Sequence, residues 1–241
     1  VKFAIVSDIH ANVEALEAVF DRISADHAVL CLGDVVGYGP NPNECVALVR
    51  ARAQAMVLGN HDVAAVDGFG IEFFNPAARA AMEWTRSVIE RDHVTWLDAL
   101  AYEWRADDYL MVHGAPVDYF AYILDKRAAA RAFEATDAPL VFVGHTHLAD
   151  YYALAPDGSI AHAHRQNGGR LDFEPGVRYI VNAGSVGQPR DLNPEASFAT
   201  YDSIERSVVW ERVPYALART QAKIEAAHLP ESLARRLATG R

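Results

Sequence analysis

The apolar run Leu140-Val141-Phe142-Val143 ends in Gly144-His145-Thr146-His147. Alternate side chains at a strand end share a face, so His145 and His147 can converge on one point. Four further fragments also follow apolar runs: Asp8-Ile9-His10, Gly33-Asp34, Gly59-Asn60-His61-Asp62 and His113-Gly114. In α/β sheets, ligand sites gather at the carboxyl ends of strands. Five such ends carrying oxygen and imidazole donors read as one convergent site. The donors are nitrogen and oxygen with no sulfur, which suits Mn, Fe, Zn, Ni or Co better than calcium or a structural thiolate zinc. The fragments together read as a two-metal hydrolytic centre.

The remaining histidines lack such company. His27, His93 and His228 are assigned to the surface, and His162 and His164 share a strand face without a neighbouring partner motif. Gly37-Tyr38-Gly39 lacks the third glycine and the Lys-Ser/Thr of a phosphate loop, so it reads as a turn beside Asp34 with Tyr38 as a packed residue.

The elements that must position these residues begin with a strand at Phe3–Val6 and a helix capped by Asn12. A strand at Val29–Leu32, a helix opened by Pro42-Asn43 and a strand at Met56–Leu58 repeat the unit, and this rhythm is α/β. Residues 75 to 100 read as helical, with Asn75-Pro76 opening one helix and Asp92 predicted to cap the next. Strands are expected at Tyr109–Val112 and Leu140–Val143, with a helix over Lys126–Ala135 between them. From Asp150 the pattern predicts antiparallel strands at Tyr151–Ala155, Ile160–His164, Arg178–Val181, Phe198–Tyr201 and Val208–Val213. Helices near residues 215 to 237 close the chain.

With 241 residues and 51% hydrophobic content, the chain can bury a large core, and a single domain over residues 1 to 241 is expected. The 22 basic and 32 acidic residues give a net charge of -10, which offers no general attraction to nucleic acid or anionic membrane. Neither is expected as a stable partner, and a homo-oligomer is left open. Cys31 and Cys45 suggest neither a disulfide framework nor a thiolate metal site, which points to a reducing, cytoplasmic compartment. No apolar stretch is long enough to span a bilayer, and Val1 to Asp8 run straight into a motif, so no cleavable leader is expected there.

These fragments, in this order, resemble the calcineurin-like metallophosphoesterase superfamily of dinuclear-metal hydrolases. The resemblance covers Asp8 to His147, and Asn182-Ala183-Gly184-Ser185 resembles a loop of small bacterial and archaeal members. It implies two facing mixed sheets in a sandwich flanked by helices, an α/β (or α+β) fold. It further implies that Asp8, His10 and His147 hold one divalent transition metal, Asn60, His113 and His145 the other, and Asp34 bridges both, with manganese favoured. His61 would assist the leaving oxygen, with Asp62 orienting its imidazole. Two cations at about +4, with two carboxylates and a bridging hydroxide at about -3, leave a centre near +1 that attracts phosphate despite the acidic chain. That hydroxide would be the nucleophile of an in-line displacement.

Departures from the family narrow the substrate. Phosphoprotein phosphatases and their diadenosine-tetraphosphatase relatives carry an arginine shortly after the bridging aspartate, where this chain reads Val35-Val36-Gly37-Tyr38, and another before Gly-Asn-His, where it has Leu58. Two bidentate phosphate clamps are thus missing. A phosphodiesterase acting on a small organic or nucleotide phosphoester is the expectation. The alternatives are a phosphomonoesterase, a dinucleoside-polyphosphate hydrolase, or a non-catalytic scaffold, which need not keep His61. Asn12 and Arg190 are candidate substrate contacts. Arg219, Lys223, Arg235, Arg236 and Arg241, interspersed with Glu225 and Glu231, read as a solvated helix face.

Overall fold

The computed structural model describes residues 1–241 as two six-stranded sheets with flanking helices. The first sheet opens with three parallel strands, β1 (Lys2–Val6), β2 (Ala28–Cys31) and β3 (Ala53–Met56), joined by α1 (Val13–Arg22) and α2 (Pro42–Arg52). Parallel pairing requires such crossovers. Asn12 caps α1 by accepting the Ala15 N–H at 3.2 Å, and Pro42 opens α2, where a missing N–H costs no helical bond. The strand expected at Met56–Leu58 lies earlier, because Val57 bridges Ala101 instead.

Helices α3 (Asn60–Asp67), α4 (Pro76–Val88) and α5 (Arg91–Asp98) follow. Asn75 caps α4 as expected, accepting from Ala78 at 3.0 Å. The cap of α5 is Glu90 rather than Asp92, whose carboxylate pairs with Arg50 at 2.6 Å from within the first turn.

The second sheet comprises β4 (Glu103–Arg105), β5 (Leu110–Val112), β6 (Leu140–Val143), β7 (Ala149–Leu154), β8 (Ile160–His164) and, later, β10 (Arg178–Ala183), with α6 (Lys126–Glu134) between β5 and β6. The chain returns to the first sheet through β9 (Gly169–Asp172), β11 (Ala196–Asp202) and β12 (Ser207–Val213), then ends in α7 (Leu217–Ala226) and α8 (Glu231–Leu237). The sheet orders are β3-β2-β1-β11-β12-β9 and β4-β5-β6-β10-β7-β8. The second half is therefore not purely antiparallel: β10 pairs parallel with β6 and antiparallel with β7.

The period-two alternation of strands explains the layers. On β1, Ile5 packs with Leu30, Phe142, Val181 and Trp210 between the sheets, while Ala4 and Val6 face α1 and α2. On β6, Leu140 and Phe142 point into that same middle layer, and Val141 and Val143 pack with Ala129 and Phe133 of α6. Each strand of this middle region is apolar on both faces, which is why it reads as a continuous run. Both cysteines are buried and free, and no helix is long and apolar enough to cross a membrane.

Candidate metal centre

β1, β2, β5 and β6 end where Asp8, Asp34, His113 and the pair His145/His147 begin, and β3 leads through Gly59 into Asn60 at the start of α3. Backbone bonds fasten these ends together: Asp8 N–H to Gly33 O (3.0 Å), His10 N–H to Asp34 O (3.0 Å) and Gly144 N–H to His113 O (2.8 Å). Asp8, His10, Asp34, His145 and His147 all sit at left-handed backbone angles, with φ of +53°, +49°, +55°, +66° and +60°. Such angles cost about 1–3 kcal/mol each in a residue with a Cβ and persist only where surrounding structure enforces them. Here they turn each side chain back over its strand end. Gly144 permits the convergence, since a Cβ there would strike the Ser7 hydroxyl.

The donors form two groups with the carboxylate of Asp34 between them and that of Asp8 on the His147 side. His10 Nε2 and His147 Nε2 are 3.2 Å apart, and Asp8 Oδ1 is 3.2 Å from His147 Nε2. His113 Nε2 and His145 Nδ1 are 3.1 Å apart. Asp34 Oδ2 lies between the groups, 3.3 Å from His113 Nε2 and 3.7 Å from His10 Nε2. Its other oxygen accepts the His61 N–H at 2.8 Å.

Backbone carbonyls set the imidazole tautomers. Nδ1 of His10, His113 and His147 faces the carbonyl of Val36 (3.1 Å), Leu32 (2.8 Å) and Gln188 (2.6 Å), respectively. A carbonyl only accepts, so each Nδ1 carries the proton and each Nε2 is turned to the centre. Burial keeps His10 and His147 below the usual histidine pKa, which leaves two lone pairs facing each other across 3.2 Å. That contact is repulsive by itself. It matches the edge of a coordination shell with metal–nitrogen bonds of about 2.0–2.1 Å. Asp8 Oδ1 and Asn60 Oδ1 are also buried without a hydrogen-bond partner. These residues fit a pair of divalent cations.

The same field holds the carboxylates charged. Burial favours the neutral acid at Asp8 and Asp34, but His147 and His113 opposite them prevail, and both carboxyls lie below their usual range. Burial works against a charge on His113, yet Asp34 and Asp8 raise it to about 9, so a bound cation would displace a proton there. Burial lowers His145 to about 3 and His61 to about 4. Because buried carboxylates and facing lone pairs await a cation, manganese at about 1,000 times its Kd should add about 4 kcal/mol per site. In a chain of this size that is about 8–16 °C of Tm, readable by calorimetry with and without chelator. An unchanged Tm would argue against the fit.

Asp8, His10, Asp34, His61, His113, His145 and His147 are brought together, and Asn60 borders the same space as His145, but two other expectations are corrected. Asp62 does not orient the His61 ring: its carboxylate accepts the N–H groups of Asp34 (2.7 Å), Val35 (2.9 Å), Val36 (3.3 Å) and Gly59 (3.1 Å), tying the Asp34 loop to α3. The His61 ring is held by packing instead, with Phe74, Tyr38 and His10 at 4.4, 4.6 and 4.8 Å between centroids. Its Nδ1 is buried without a partner. Asn12 is not free for substrate, because its amide donates to Gly187 O at 2.9 Å and its carbonyl oxygen accepts from both Ala15 and Thr220.

Arg190 lies at the rim, beside Tyr38. Arg236 leaves the solvated face assigned to it and turns toward the same ring, while Lys223 and Arg219 pair with Glu14. His27 and His93 are half-buried rather than on the surface. His162 and His164 have a cross-strand neighbour, Asp150, which accepts from His162 at 2.8 Å.

Some supporting residues escaped the sequence reading. The Ser7 hydroxyl donates to Asp8 Oδ2 at 2.7 Å and Tyr122 stacks on His145 with 3.9 Å between centroids, while Ser185, in the loop quoted from the sequence, donates to Asp8 O at 2.7 Å. The Tyr122 contact joins distant segments and leaves no local spacing to detect.

This geometry and fold define a metallophosphoesterase: residues 1–205 match the calcineurin-like phosphoesterase superfamily domain, and the chain belongs to that family. It is similar to a metallophosphoesterase from Sphaerobacter thermophilus, with 42% identity, full coverage of both chains and a TM-score of 0.90. An uncharacterized protein from Methanocaldococcus jannaschii, MJ0912, is 33% identical over 99% of this chain and 98% of its own length. Hypothetical protein PH1004 from Pyrococcus horikoshii OT3, 18% identical, shares the fold over 100% of this chain and 98% of its own, with a TM-score of 0.77.

Proposed function

We propose that the chain is a dinuclear-metal phosphodiesterase acting on a small organic phosphoester that carries an aromatic group, such as a nucleotide. The observation that carries this reading is an aromatic cavity beside the metal centre. Phe69, Phe73, Phe74, Phe120 and Tyr122 line a space of about 340 Å³ whose remaining wall includes Asn60 and His145. That volume falls at the small end of ligand pockets, which run about 300–1,000 Å³. Phe73 and Phe69 are 84% and 64% exposed, apolar surface that a flat organic group would cover.

In this reading Asp8, His10 and His147 would hold one cation, Asn60, His113 and His145 the other, and Asp34 would be shared by both. When bound, the two cations would supply positive charge to the phosphoryl oxygens and lower the pKa of water between them. His61, adjacent to Asn60, has its Nδ1 buried against Gly37, which leaves Nε2 as the ring nitrogen that would serve the leaving oxygen. The aromatic cavity would orient the organic group, and with no arginine beside Asp34 or at Leu58 the chain lacks the two bidentate clamps that grip a terminal phosphate.

Rates on 4-nitrophenyl phosphate and bis(4-nitrophenyl) phosphate, after chelation and return of manganese, test the reading. The diester should exceed the monoester in kcat/KM by about tenfold or more, the rate equivalent of about 1.4 kcal/mol. A monoester preference would overturn the diester assignment. No turnover with Mn, Ni, Co, Fe or Zn would favour a scaffold.

A further inference from the structure

Two guanidinium groups stand beside the metal centre with no side-chain carboxylate within ion-pair distance of either, in a protein with 32 acidic residues. Arg190 donates through Nη2 to the Tyr38 hydroxyl (3.3 Å) and to Gln188 Oε1 (3.1 Å), and its Nε is buried with no partner. Arg236, half-buried on α8, donates through Nε to the backbone oxygen of Arg241. Both guanidinium carbons lie 5.8 Å from the centre of the Tyr38 ring. That ring packs edge-on against His10 at 4.7 Å and tilts over His61 at 4.6 Å.

Two partly desolvated like charges sharing one tyrosine repel each other, and cation–π contact returns only about 0.5–2 kcal/mol to each. Elsewhere the basic residues of this region find acids: Arg235 pairs with Glu231, Lys223 and Arg219 with Glu14, and Arg212 with Asp191. Arg190 has no acidic partner, and Arg236 has only the Arg241 oxygen, reached through Nε. The Arg190 backbone N–H donates to His147 O at 3.2 Å, which fastens this arginine beside the metal centre. Paired guanidiniums with free N–H groups match the geometry of a phosphate.

We infer that Arg190 and Arg236 form a phosphate-binding subsite, one tyrosine ring from the metal centre, for a second phosphate of the substrate. The inference rests on the phosphoesterase reading and sharpens it to nucleotide esters bearing more than one phosphate. The two guanidiniums for this second phosphate come from the loop after β10 and from α8 and do not replace the arginines absent beside Asp34 and at Leu58. Tyr38 holds the two side chains at the rim.

Calorimetric titration of manganese-loaded protein, in buffer free of phosphate and sulfate, tests this. The probes are AMP, α,β-methylene-ADP and adenosine 3′,5′-bisphosphate. At least one of the two-phosphate probes should bind about tenfold or more tighter than AMP, as expected for one added charge-assisted contact. In Arg236→Met and Arg190→Met that ratio should fall toward unity, whereas Arg235→Met, in an exposed ion pair, should keep it. Arg236→Gln serves if the methionine variant fails to fold. If the arginines only brace α8 on Tyr38, the variants will lower Tm and leave the ratio intact, which would overturn the subsite. So would equal affinity for all three probes in the wild type. Wild-type turnover of bis(4-nitrophenyl) phosphate separates the two readings. Turnover without a two-phosphate advantage overturns the subsite alone. An arginine-dependent advantage without turnover upholds the subsite and overturns the catalytic reading.

Discussion

His61→Ala is expected to lower kcat by about 10²–10³-fold while two metal ions remain bound. The ring contacts no expected ligand through hydrogen bonds: Nδ1 is unpartnered, and Phe74, Tyr38 and His10 hold it by packing. Its backbone N–H donates to Asp34 Oδ1 at 2.8 Å and survives the substitution, so Asp34 keeps its orientation. Metal analysis and steady-state kinetics on one preparation check both halves. Because a transition-state contact is lost, kcat and kcat/KM should fall together, with KM little changed. An unchanged kcat would remove His61 from the mechanism, and loss of metal would recast it as structural. Gly37 shows how tightly the ring is placed: at φ +85° it leaves space that a Cβ would take from the His61 imidazole.

The second large effect is expected for Asp34→Asn, which should lower metal content at both positions and reduce kcat by about 10³-fold or more. Asp34 Oδ2 lies 3.7 Å from His10 Nε2 and 3.3 Å from His113 Nε2, nearer to both than Asp8 Oδ1 at 3.8 and 4.0 Å, and so between the two donor groups. Asparagine keeps the size and the acceptor for the His61 N–H but removes the charge that both cations would share. Elemental analysis should find the variant below one metal per chain in manganese-equilibrated buffer, with circular dichroism showing the fold intact. Full occupancy would place the bridge elsewhere.

The donors of this centre were legible because each follows an apolar strand, and strand ends in parallel arrangements share one edge. Asp8, Asp34, His113, His145 and His147 all announce themselves in that way. The alternation on β1 and β6 likewise placed the middle layer. What was not legible depends on long-range pairing. Asp62 sits beside His61 in sequence, yet four backbone N–H groups, three of them from the distant Asp34 loop, claim its carboxylate. Asn12 reads as both cap and substrate donor, and only the approach of Gly187 and Thr220 decides between them. Arg236 looks like one more exposed helix charge until α8 packs against Tyr38. The short strands β4 and β9 were missed because Glu103–Arg105 and Gly169–Asp172 carry little apolar pattern and form by pairing with β5 and β12.

The number of divalent ions held by the wild-type chain tests the central claim most directly. Protein stripped with chelator, equilibrated with manganese and passed through a desalting column should carry two ions per chain, with hydrolysis of bis(4-nitrophenyl) phosphate returning as the second ion binds. One ion or none per chain, or turnover that ignores the chelator, would contradict it.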